Sequence, residues 1–407
     1  MPHEYRHSRF RAAVLASLLA CIWWLDLPLD PATWDAYAHG SRSPSCPRTP
    51  CDERGKYYFR WKPSHCSIVG NVLPSYFSGR SVAATARTAF SVLWYPRAYV
   101  SKHEPDGCRI MWRLPRHVPP QAFDDTAAGV PHCSTACQPG IPRPTDWTWL
   151  LGTARREVQA ALELAMPLLA DDDLSMSVGC VSSRHSSNHS CRWDVIVHFR
   201  CGDIRRTQHG SYGFLGYQYY THAFRILGIR RARVLILTHT ARHARRLAEL
   251  PEDTGSSKRS CTVTSSSDCT QLVDGLRLHL LGRDVHARSV EMRGHGSIDA
   301  DLALMLVGSP HLVAAISTFS MLAGLLKPRG ASVLPDWPAL DHQLGIEHLR
   351  DRMAATGHLS TQVHFLHGHP LPSAQACRMN ASTVLSHLRT QRAEQTNSNK
   401  TMWNRQT

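Results

Sequence analysis

The sequence predicts a doubly wound α/β fold on a parallel sheet. Short apolar runs suited to strands buried on both faces recur between residues 195 and 334. Segments with helical spacing separate them. Two polar clusters directly follow two of these runs, at the carboxyl ends of strands, where such sheets bind ligands.

Val195-Ile196-Val197 reads as the first strand and Tyr217–Leu227 as a helix. Val234–Leu237 is the second strand, followed by a basic helix, 241–250, that stops at Pro251. Residues 272–281 form the next helix and 285–292 a third strand. Ser297 can cap a helix over 298–307. A fourth strand follows at 312–316, a helix at 319–326 and a fifth strand at 331–334. Upstream, Val158, Ala161, Leu162 and Ala165 share one face of a helix over 149–169, with Pro167 near its end. Residues 101–147 are rich in proline and lack periodicity, which predicts an irregular insertion.

Net charge is +14, which favours anionic partners. Arg6, Arg9 and Arg11 precede an apolar run from Ala12 to Leu25. We read this as an uncleaved signal-anchor with the basic residues cytosolic. The alternative is a cleaved signal peptide ending near Ala36-Tyr37-Ala38. The chain has 13 cysteines, and all but Cys21 lie beyond the apolar run. That usage fits disulfides in an oxidising compartment better than a zinc site at Cys133 and Cys137. Sequons at Asn188, Asn380 and Asn399 point the same way.

The first polar cluster is His198-Phe199-Arg200-Cys201-Gly202-Asp203. Strand alternation puts His198 and Arg200 on one side. Arg200 offers a donor fork suited to a diphosphate, and Asp203 can pair with it or orient a donor. A structural Arg–Asp pair is the plainer alternative. The second cluster is Ser317-Thr318-Phe319-Ser320, where hydroxyls and first-turn N–H groups can form an anion nest or simply cap a helix.

The first cluster resembles the His-x-Arg-x-Gly-Asp motif of alpha-1,2-fucosyltransferases, with related forms in alpha-1,6- and protein O-fucosyltransferases. Residues 301–320 are similar to that superfamily's final nucleotide-binding block, and Gly70-Asn71 to the loop and helix that open its catalytic region. The resemblance implies a GT-B-like arrangement of two facing Rossmann-like domains. It implies an inverting, metal-independent transfer of fucose from GDP-fucose, with no further cofactor, to a glycan or glycoprotein hydroxyl. Arg200 would hold the beta-phosphate beside His198, Asp301 would read guanine, and Ser317, Thr318 and Phe319 would hold phosphates and base. Asn71 would line the pyrophosphate from the other domain. Arg200, His198 and Asp203 are the catalytic candidates. Cys201 stands where another residue, often arginine, is common.

The expected organisation is a cytosolic tail (1–11), anchor (12–29), stem (30–55), N-terminal Rossmann-like domain with a disulfide-tied insertion (56–190), C-terminal GDP-sugar domain (191–390) and disordered tail (391–407). That organisation implies a type II Golgi membrane protein with its catalytic part luminal, anchored in the membrane and binding no nucleic acid. Two other readings compete. One is a metal-dependent transferase using Asp171-x-Asp173 or Asp299-x-Asp301, and the other is a non-catalytic glycan-binding or scaffold relative.

Overall fold

A computed structural model of the chain describes residues 57–61, 69–85, 89–94, 109–119, 147–169, 192–201, 204, 212–238, 266–294, 296–346, 349 and 362–391. The first unit holds β1 (Tyr57–Trp61), α1 (Val69–Thr85), β2 (Phe90–Trp94) and β3 (His117–Val118). Helix α2 (Leu151–Leu169) leads towards β4 (Val195–His198), β5 (Gly213–Leu215), α3 (Tyr217–Ile226) and β6 (Arg233–Leu237). Next come α4 (Ser266–Leu281), β7 (Ser289–Arg293), α5 (Ile298–Val307), β8 (His311–Val313) and α6 (Thr318–Leu326). The chain continues through β9 (Ala331–Pro335), α7 (Pro338–Leu344), β10 (Val363–Leu366), β11 (Pro370–Pro372), α8 (Ser373–Ala376) and α9 (Ala381–Thr390).

The main sheet has six strands in the order β10-β9-β8-β4-β6-β7, and every pairing in it is parallel. Ranked by sequence, that is the doubly wound order 3-2-1-4-5-6. The order reverses between β4 and β8, which are adjacent, with Val195 opposite His311 and Val197 opposite Val313. Right-handed crossovers put α3 and α4 on one face and α5 and α6 on the other. Strand β4 is buried throughout, which is why its sequence is a continuous apolar run rather than an alternation.

The helices start as their sequences dictate. The Ser297 hydroxyl accepts from the Ala300 amide at 3.1 Å and caps α5. Helix α5 is buried nearly all round, with Leu302, Leu304 and Met305 at 2% exposure or less. Burying such side chains stabilises by about 1.5–3 kcal/mol each. At the far end of α5, Lys327 Nζ donates to the carbonyls of Met305 and Leu306 at 2.9 and 3.1 Å, satisfying groups the helix leaves open. Burial pulls the Lys327 ammonium down to about 7 from 10.5. The unfolded chain therefore binds more protons above pH 7, and stability should rise from pH 7 towards 10. Lys327→Met should flatten that rise in melting temperature, measured over pH 7–9.5.

Two expectations need correction. The first is the pair of facing Rossmann-like domains in a GT-B arrangement. Strands β1, β2 and β3 form a three-stranded sheet in which β1 and β2 are parallel and β3 is a two-residue antiparallel strand. Among the described residues this unit holds a single βαβ crossover, whereas a Rossmann-like sheet needs several. Instead α1 packs against α6 of the main unit, and Trp147 Nε1 donates to the Leu344 carbonyl at 2.6 Å.

The second correction concerns the membrane. No helix among the described residues is long and apolar enough to cross one. The structure therefore does not support the type II topology, the membrane as a partner or the Golgi-membrane placement. The expected signal-anchor at 12–29 lies outside the described residues. Its apolar run of roughly 14 residues would reach only about 21 Å as a helix, against a hydrocarbon core of about 30 Å. The stem, the basic helix 241–250, Asp171, Asp173, Cys133, Cys137 and residues 392–407 also lie outside the described residues.

Candidate functional site

Strands β4 and β8 end side by side at the reversal of strand order, and the two polar clusters follow them. From β4, His198 is 2% exposed, its ring edge-on to Phe319 with centroids 6.2 Å apart. Arg200, two residues on, is half-buried. Its guanidinium lies 4.1 Å from the centroid of the Tyr212 ring, a cation–π contact. Nη1 of Arg200 lies 3.4 Å from the Ser317 hydroxyl. Asp203, the third catalytic candidate, lies outside the described residues.

From β8 the chain turns through Ser317 into α6. Ser317 is the N-cap, extended at φ −157°, and its side chain makes no capping hydrogen bond. Ser320 closes the turn instead, accepting from the Ala315 amide at 3.2 Å. The hydroxyls of Ser317 and Thr318 are thereby available for other partners. Ser317 meets Arg200, and Thr318 Oγ1 donates to Asn71 Oδ1 at 2.8 Å.

Asn71 comes from the first turn of α1, so two helix starts meet here. Gly70 makes the approach possible: a Cβ at that position would stand 2.5 Å from the Phe319 nitrogen and 2.6 Å from its Cα. Each helix N-terminus carries roughly half a positive charge. Two of them converge beside Arg200, so the arrangement is built for an anion.

The structure thus brings Asn71, His198, Arg200, Ser317, Thr318 and Phe319 together. Asp301, in the first turn of α5, sits on the same edge of the sheet. It is 4% exposed, and its carboxylate lies 3.5 Å from Arg293 at the end of β7, two strands from β4. Asp299 turns the other way and accepts from the Arg109 and Ile110 amides at 3.0 and 3.1 Å. Residues two apart on a helix point to opposite sides, so Asp299 and Asp301 cannot share an ion. Among the described residues no group of three ligating side chains gathers.

Sequence reasoning missed Tyr212, which supports Arg200, and Arg293, which occupies Asp301. It also missed the His367-Gly368-His369 loop after β10. There His367 Nδ1 lies 3.8 Å from Asp336 Oδ2, and the two histidine rings meet edge-on at 5.0 Å. The local signal was a His-Gly-His triplet after a short hydrophobic run. The loop feeds β11, which pairs antiparallel with β5, next to Tyr212.

Cys201 forms a disulfide with Cys269 at the start of α4. It ties the residue after Arg200 to a helix, which gives the departure from the motif at that position a structural reason. Closing a loop of this length, with a sequence separation of 68, stabilises by up to about 4 kcal/mol. Cys269→Ser should lower the melting temperature by several degrees and loosen Arg200. The check is calorimetry together with turnover per folded molecule.

Comparison with protein-family models, with curated proteins and with solved structures yields no match for this chain.

Proposed function

We propose that the chain is an inverting glycosyltransferase that takes a sugar from a nucleoside diphosphate sugar, with GDP-fucose as the donor its motif favours. The observation that carries this reading is the convergence of two helix N-termini and Arg200 at the strand-order reversal, a place shaped for a diphosphate. The resemblance of His198–Asp203 and of residues 301–320 to fucosyltransferase motifs narrows the diphosphate to a nucleotide sugar.

In the proposed reaction the acceptor oxygen attacks the anomeric carbon as the bond from that carbon to the phosphate oxygen breaks. The electron pair leaves on the beta-phosphate. Arg200 and the first turn of α6 neutralise charge there as it develops, the kind of interaction that lowers a barrier. Ser317 and Asn71 fix the fork and the helix start, while Phe319 and His198 wall the crevice. The acceptor proton goes to a base on the same edge, and the Asp336–His367 pair meets that requirement. In this reading the nucleobase lies towards Arg293, which Asp301 pairs at 3.5 Å, and Asp301 acts on the nucleotide through Arg293.

A donor-hydrolysis screen across GDP- and UDP-sugars tests the proposal. It expects slow release of GDP from GDP-fucose, with UDP-sugars untouched. Hydrolysis of UDP-sugars alone would overturn the choice of donor, and no hydrolysis or transfer with any nucleotide sugar would overturn the activity.

A further inference from the structure

All strands of the main sheet run the same way, so their amino ends share the edge opposite the proposed site. The register aligns those ends. Val195 faces Val234 on one side and His311 on the other, Arg233 faces Ser289 and His311 faces Ala331. Loops entering neighbouring strands therefore deliver their residues in one row, about 19 Å from β7 to β9 at the usual strand spacing.

That row is made of arginine. Arg192 precedes β4, Arg230 and Arg231 precede β6, Arg283 and Arg288 precede β7, and Arg329 precedes β9; all six are exposed. The carboxylates along it do not cancel the charge. Asp194 pairs with Arg233 at 3.0 Å and also feels the charge of Arg288, and Glu291 pairs with Arg192 at 2.8 Å in an exposed contact of the kind worth under about 1 kcal/mol. Asp284 is exposed beside Arg283. Among the described residues, the non-glycine residues at positive φ are Arg231 (53°) and His286 (54°), and both lie on this edge. Holding arginine in that conformation is unfavourable, and the backbone brings the turn next to Arg288, whose amide donates to the Ala232 carbonyl at 2.8 Å.

We propose that this edge docks a linear sulfated polysaccharide. A row of forks from separate loops matches evenly spaced anionic groups along a chain better than one compact anion. Arginine forks suit the oxygens of sulfate as they suit phosphate. Disulfide bonding at Cys201–Cys269 and at Cys377 belongs to an oxidising compartment, where sulfated glycans rather than nucleic acids are the abundant polyanions. The surface does not depend on the proposed transfer reaction.

The test measures binding of the full chain to heparin, with dextran sulfate and a single-stranded oligonucleotide of equal charge as competitors. The variant Arg230→Gln/Arg231→Asn/Arg283→Gln/Arg288→Gln removes the β6–β7 end of the row, where four of its six arginines lie. Asparagine tolerates positive φ, so the fold is kept. A control, Arg116→Gln/Arg156→Gln/Arg378→Gln/Arg389→Gln, removes the same charge elsewhere. The proposal expects at least tenfold weaker heparin binding in the first variant, little change in the control, and displacement by dextran sulfate ahead of the oligonucleotide. Equal losses in both variants would show only general charge attraction. Preferential displacement by the oligonucleotide would make the partner a nucleic acid. Either result overturns the proposal.

Discussion

Arg200→Ala is expected to cut transfer by about 10²–10³ per folded molecule, roughly 3–4 kcal/mol of transition-state stabilisation, while the melting temperature moves little. Its guanidinium rests on Tyr212 and reaches Ser317, half-buried at the surface of the edge, so few core contacts are lost with it. Arg200→Lys keeps the charge but not the planar fork or the stacking, and should recover only a small part of the loss. A structural arginine predicts the reverse pattern: lower melting temperatures in both variants, with normal turnover in the folded fraction. Turnover measured beside calorimetry separates the two.

Gly70→Ala should have the second largest effect. Its methyl group would meet the Phe319 backbone at 2.5 Å, and backbone cannot swing aside as a flexible side chain would. The helix starts of α1 and α6 must separate, which strains or breaks the 2.8 Å contact between Thr318 and Asn71. Overpacking of this sort costs about 1–3 kcal/mol. The melting temperature should fall by several degrees, and nucleotide affinity should fall with it. A neighbouring alanine, Ser75→Ala on the same helix, removes only a local hydrogen bond to the Asn71 carbonyl and should do neither. Calorimetry with a nucleotide titration checks both variants.

The main sheet is legible in the sequence because strands buried on both faces must be apolar throughout. Val195–Val197 and Val234–Leu237 can hardly be anything else between polar turns. The α5 start is legible because Ser297 does locally what a cap does. What escapes is whatever depends on a distant partner. Pro370-Leu371-Pro372 looks like a strand breaker, and becomes β11 only because Gly213–Leu215 supplies the other half of an edge ribbon. Strand β10 carries His364 and is only partly buried, so no apolar run announces it. At the site, Arg200 and the Ser317-Thr318-Phe319 turn can be found by their position after buried strands. Tyr212, Arg293 and the close fit of Gly70 cannot, since each acts through a contact that no spacing encodes. The pairing of Asp301 with Arg293 at 3.5 Å escapes for the same reason: nothing local announces which cation a helix-start carboxylate will meet. The Rossmann-like reading of the N-terminal unit rests on motif resemblance alone, and β3 shows that the chain there leaves the parallel pattern.

The central claim is that a nucleoside diphosphate lies between β4 and β8, held by Arg200 and the start of α6. Thermal shift of the full chain with GDP, run with and without EDTA and repeated on Arg200→Ala, tests it most directly. The account predicts stabilisation of the unaltered chain by GDP more than by UDP, unchanged by chelator, and largely lost in the variant. At a hundredfold excess over Kd the gain should be about 2.7 kcal/mol. An absence of any shift, or an equal shift in Arg200→Ala, would contradict it.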